Sequence, residues 1–102
     1  MICQEAGFMN GTCRIEVHER DVPDGAPGFK ALMYLIEDGG SRVRPVVFPD
    51  GSRAEIPGDS EQLAINGALT WLSNRFGALT EYTHACLEPA SGSEYAEPVV
   101  VE

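Results

Sequence analysis

One stretch of this chain carries a helical period, from Asp59 to Gly77, and the segments before it read as strands and turns. Ile65, Ala68, Leu69, Leu72 and Phe76 recur at the spacing that places them on one stripe of an α-helix. Asp59 stands where a side-chain cap is wanted, with Gln62 three residues on in the capping-box position. Arg75 suits the negative end of the helix dipole, and Gly77 suits the positive φ that commonly ends a helix. Gly67, inside the helix, costs about 1 kcal/mol relative to alanine, which predicts a close neighbour at that point. A single helix with one apolar stripe needs a sheet to pack against.

The strands supply it. Cys13, Ile15 and Val17 alternate with Arg14, Glu16 and His18, which is the pattern of a half-buried strand ending near Glu19. Two prolines and two glycines make Asp21–Gly28 a loop. Phe29–Glu37 is apolar on both faces: Phe29, Ala31, Met33 and Leu35 point one way, and Leu32, Tyr34 and Ile36 the other. That predicts a central strand covered on both sides. Asp38-Gly39-Gly40 is a hairpin turn. Arg42–Phe48 returns as a strand, in which Pro45 lacks a ladder donor and so predicts an edge or a bulge. Pro49-Asp50-Gly51 is a further turn, Ser52–Ile56 a short strand candidate, and Glu81–Leu87 another.

The expected fold class is therefore α+β, an antiparallel sheet of three to four strands with one amphipathic helix on one face, in β-β-β-α order. Residues 1–12 read as a flexible N-terminal extension, 13–87 as the domain, and 88–102 as an acidic tail. Val99-Val100-Val101 in that tail is a candidate terminal strand, for this domain or for another copy.

Charge narrows the function. Sixteen acidic against seven basic residues give a formal charge of −9 on 102 residues, enough chain for one core. Such a surface repels phosphate backbones and anionic lipid, so no direct nucleic-acid or membrane partner is expected, and a basic protein partner is favoured. Cys3, Cys13 and Cys86 include no CxxC pair and do not form the even set of a disulfide framework. With no signal-peptide pattern at the start and no long apolar run, the expected location is cytoplasmic.

The turns and the helix start fall in a familiar order. Asp38-Gly39-Gly40, Phe48-Pro49-Asp50 and Gly58-Asp59-Ser60, followed by Ala64 and Ala68 in the helix, resemble the HicB-like antitoxin fold over roughly residues 34–72. The resemblance implies a prokaryotic or phage protein that neutralises a toxin by binding it. Where that family has Leu-Pro-Gly-Cys after the Pro-Asp pair, this chain has Gly51-Ser52-Arg53-Ala54. No basic DNA-binding segment follows the helix, so operator binding is not implied.

Catalytic patterns are sparse. His84 and Cys86 share strand parity, but Cys13 and His18 do not, and the spacings of a structural zinc site are missing. There is no nucleophile elbow, phosphate loop or dinucleotide motif. No enzyme activity, cofactor or metal is expected. Arg42, Arg44 and Arg53 are the one basic cluster, expected to pair with nearby acids. The expected partner-binding residues are Trp71, on the flank of the helix stripe, or Tyr34 and Ile36 on the less easily covered sheet face, with Glu16, Glu19, Asp21 and Asp24 as an acidic rim. The leading expectation is a stoichiometric inhibitor of a basic, nucleic-acid-acting protein. The alternative is a homo-oligomeric structural module, in which Phe29–Glu37 and Val99–Val101 pair between subunits.

Overall fold

A computed structural model describes residues 2–20, 28–37, 39, 42–83 and 97–101. The chain folds as strands β1 (Ile2–Phe8), β2 (Gly11–Glu19), β3 (Phe29–Glu37), β4 (Arg42–Val47) and β5 (Glu55–Gly58), helix α1 (Glu61–Phe76), then β6 (Leu79–Thr83) and β7 (Val99–Val100). The sheet runs β6-β1-β2-β3-β4-β7, with β5 beside β3. All pairings are antiparallel except β4 with β7, which is parallel. Among the described residues the fold is α+β with one helix, as expected, but the sheet is mixed and has seven strands rather than three to four.

The additional strands lie largely outside the expected domain. Ile2–Phe8, placed above in an N-terminal extension, is β1 and sits between β2 and β6. A two-residue turn at Met9 and Asn10 joins it to β2, with Phe8 opposite Gly11. Val99–Val100 lies on β4 of the same chain. Arg44 holds it there, donating from Nε to the carbonyl of Glu97 at 3.0 Å and from Nη2 to that of Pro98 at 3.4 Å. The candidate strand Glu81–Leu87 begins earlier, at Leu79, and its stretch from His84 onward lies outside the described residues.

β3 is central, as its two apolar faces require. β2 pairs along one edge, while β4 and β5 divide the other, β5 opposite Phe29–Leu32 and β4 opposite Tyr34–Glu37. Pro45 pairs with Tyr34, and only Val46 and Val47 on β4 take the second neighbour β7, so no outer strand has to receive a donor from the proline. Between β4 and β5 the chain makes an excursion closed by Phe48 N–H to Ser52 O and Ala54 N–H to Val46 O, with Gly51 at φ +87°. Asp50 accepts from the Ser52 hydroxyl at 2.6 Å and from its amide at 2.9 Å, which holds the carboxyl below its ordinary value.

The helix packs on one face of the sheet. Cys13, Ile15, Val17, Ala31, Met33, Val46, Ala64, Ile65, Ala68 and Leu72 form the buried core, with Leu69, Trp71 and Phe76 partly buried beside it. Three details explain how closely α1 sits. A Cβ on Gly67 would lie 2.6 Å from Ile56 Cγ2, the close neighbour that its position in the helix predicted. A Cβ on Gly58 would lie 2.5 Å from the backbone nitrogen of Ala64. Met9 N–H donates to Ala78 O and Asn10 N–H to Phe76 O, so the β1–β2 turn is bonded to the end of the helix. The cap differs from expectation by one residue: Ser60, not Asp59, is the N-cap, its hydroxyl accepting from Leu63 N–H at 3.1 Å. Gln62 bonds forward to Asn66 instead of completing a capping box. Gly77 ends the helix at φ +87°, with ψ near the extended value rather than the left-handed helical one.

Candidate functional site

The alternation along β1–β4 sends a second set of side chains to the sheet face opposite the helix. Register places Glu5, Arg14, Tyr34 and Pro45 in one row across β1–β4. Glu16 and Leu32 stand in the next row, with Glu55 of β5 beyond them. His18 and Lys30 stand beyond those. This face is polar at its centre, and its polar groups are largely covered.

Glu16 is 3% exposed and Tyr34 4% exposed, which is rare for a carboxylate outside a paired or hydrogen-bonded site. The Tyr34 hydroxyl donates to Glu16 Oε1 at 3.2 Å, and His18 Nε2 lies 3.2 Å from the same oxygen. Arg14 Nη2 donates to Glu5 Oε2 at 3.3 Å. The Arg53 guanidinium lies 4.6 Å from the centre of the Tyr34 ring, a cation–π contact that covers the tyrosine from outside. Arg53 reaches it because the excursion between β4 and β5 returns along β4, where Arg53 bridges Val47. At the margin Lys30 Nζ stands 3.6 Å from Glu55 Oε1. Arg14 Nε, Arg53 Nε and Arg53 Nη2 are buried without a hydrogen-bond partner.

The expected site residues separate into two layers. Tyr34, Ile36 and Glu16 share the helix-free face, and two of them are directly bonded. Trp71 belongs to the other layer. It packs edge-on to Phe48 at 5.9 Å between ring centres, and the Arg75 guanidinium covers its ring at 3.7 Å. Glu19, at the end of β2, is exposed and opposite Phe29. Asp21 and Asp24, like His84 and Cys86, lie outside the described residues. Arg14, His18 and Arg53 are the neighbours that sequence reasoning did not assign to this site. The period of two along β2 already places Arg14 and His18 beside Glu16. Nothing local places Arg53 there.

Of the basic cluster, Arg42 and Arg44 pair with an acid as expected, whereas Arg53 lies on the Tyr34 ring and meets no carboxylate among the described residues. Arg42 and Arg44 both meet Glu37, at 3.9 Å and 3.4 Å, and Arg44 is further engaged with the C-terminal strand. The cysteines require a correction. Cys13 is free and buried, and burial pushes its thiol up to about 12. Cys3, by contrast, is disulfide-bonded, so the three cysteines are not all free thiols. Disulfides are rare in a reducing cytosol, and the cysteines no longer speak for that compartment. Among the described residues no group of three or more His, Cys, Asp or Glu side chains stands ready to hold a metal, and no helix is long and apolar enough to cross a membrane.

No protein-family model, curated protein or solved structure matches this chain. What the fold and the face define is a class: a small α+β domain whose sheet is closed by a helix on one side and carries a covered polar cluster on the other.

Proposed function

We propose that this protein is a binding module that acts by occupying a basic surface on another protein, as a stoichiometric inhibitor rather than an enzyme. The observation that carries the reading is how the charges are distributed. Of seven lysines and arginines, Arg14, Lys30, Arg42 and Arg44 are paired with the chain's own carboxylates. Arg53 and Arg75 lie on its own aromatic rings. Among the described residues, exposed Glu19, Asp50, Asp59, Glu81 and Glu97 enter no ion pair. Six of the seven cations are thus engaged within the chain, Arg20 being the exposed exception, while the chain carries a formal charge of −9, which favours fast, salt-sensitive capture of a cationic partner. A nucleic-acid-acting protein, whose own ligand is a polyanion, presents such a surface.

The experiment is a tagged pull-down from the host, with mass spectrometry of what co-purifies at low and moderate salt. The expected result is one basic protein in defined stoichiometry, lost as salt rises. Recovery of the chain alone, at a mass of two or more copies, refutes the reading in favour of a self-assembling structural module. That alternative has less to work with than its sequence-based form: β3 has neighbours on both edges, and Val99–Val100 is already paired within the chain.

A further inference from the structure

We propose that the helix-free sheet face binds an oxyanion, a phosphate or carboxylate group, between Arg14 and Arg53 beside Tyr34. The inference rests on which donors are unsatisfied. In Arg53 they are Nε and Nη2, both buried. These two nitrogens share one edge of the guanidinium and point their N–H groups the same way. That edge is the fork that matches two oxygens of a carboxylate or phosphate. Arg14 adds a third buried unpaired donor, Nε, while its Nη2 is held by Glu5.

Both arginines belong to one place. Arg14 is the direct cross-strand partner of Tyr34, and Arg53 lies against the ring of the same tyrosine. Each is fixed by a separate contact, so the donors are positioned before any ligand arrives: Arg14 by its ion pair to Glu5, Arg53 by its ring contact and by the backbone bridge to Val47. Buried donors left without a partner are unfavourable, whereas an anion on the Arg53 fork would satisfy two of the three at once. Glu16 Oε1, on the same face, is directed to Tyr34 and His18. The acidic surface does not preclude such a ligand: at about 0.15 M salt the screening length is about 8 Å, so distant carboxylates act weakly on a small anion at the face. The site stands independently of any protein partner.

The test follows the arginine Nε–Hε signals by NMR on the intact chain, adding inorganic phosphate or acetate at constant ionic strength set with chloride. The expected result is a saturable shift of the Arg53 signal, followed by that of Arg14, while exposed Arg20 does not respond. Saturation with phosphate alone assigns a phosphate group, and saturation with acetate alone a carboxylate. Arg53→Lys keeps a cation on Tyr34 but removes the fork, and should weaken the response at Arg14 at least tenfold. Arg20→Gln should leave it unchanged. If Arg14, Arg20 and Arg53 drift together without saturation in both anions, or if Arg53→Lys binds as tightly as the parent chain, the proposal is wrong.

Discussion

At the residue scale the chain spends its few polar burials on one cluster. The Tyr34 hydroxyl and Glu16 Oε1 are bonded within a face where neither group reaches water freely. Removing the hydroxyl leaves a buried carboxylate one donor short, which costs about 1–3 kcal/mol. Tyr34→Phe should lose that much in urea denaturation with an unchanged m-value, and a loss below a few tenths would show that the bond contributes nothing. Cys13 yields a second prediction with a definite sign. Below its ordinary value of 9.0 the thiol is protonated in both folded and unfolded chains, but between there and about 12 only the unfolded chain ionises. The unfolded state then binds fewer protons, so stability falls as pH rises through that window. Cys13→Val should flatten this part of the stability curve, and the native thiol should resist alkylation near neutral pH.

The elements show where local rules are followed and where a neighbour overrides them. Asp59 and Ser60 are both good caps by residue type, and the sequence offers Asp59 with a capping-box partner. The helix begins one residue later because Ser60 has an extended backbone, at φ −139° and ψ 164°, and its hydroxyl meets Leu63 N–H. Ser60→Ala should therefore cost about 1 kcal/mol, while Asp59→Ala stays within about 0.5 kcal/mol, as at an ordinary surface position. Thermal unfolding of the pair decides it, and the reverse order would return the cap to Asp59. Helix and β5 meet through small residues. An added methyl at Gly58 would press on the backbone of Ala64, whereas at Gly67 it would press on a side-chain methyl of Ile56. Overpacking costs about 1–3 kcal/mol, and at Gly67 a helix-propensity gain of about 1 kcal/mol offsets part of it. Gly58→Ala should accordingly be the more destabilising of the two in chemical denaturation.

At the scale of the molecule, both edge strands of the sheet, β6 and β7, come from the C-terminal part of the chain. β1 brings the N-terminal segment inside the sheet, and β7 closes the β4 side with only two residues. So short a strand depends on its clamp, in which Arg44 joins Glu37 to the carbonyls of Glu97 and Pro98. Arg44→Met should release it, and the readout is faster hydrogen exchange at the Val101 amide, which is bonded to Val47 O. Core amides such as those of Ile15 and Met33 should be unaffected. Loss of protection throughout the sheet would mean that β7 is part of the cooperative core rather than an appended edge.

Much of this organisation is legible in the sequence, because period and turn chemistry act locally. The parity of Cys13–Glu19 and Phe29–Glu37 already separates the core face from the face that carries Glu16, Tyr34 and Ile36, since a strand has no other way to dispose alternate residues. The stripe from Ile65 to Phe76 and the stop at Gly77 likewise follow from the helical repeat. Ile2–Phe8, expected as part of a flexible extension, does not read as a strand, because Gln4 and Gly7 dilute so short a pattern and the joining turn falls at Met9 and Asn10. Tertiary structure alone decided the rest. Which strands lie side by side, the parallel seat of Val99–Val100 on β4, the choice of Ser60 over Asp59 and the arrival of Arg53 over Tyr34 all join residues distant in sequence or depend on how segments dock. Such contacts are selected by the packing of the whole chain, and no spacing within a segment encodes them.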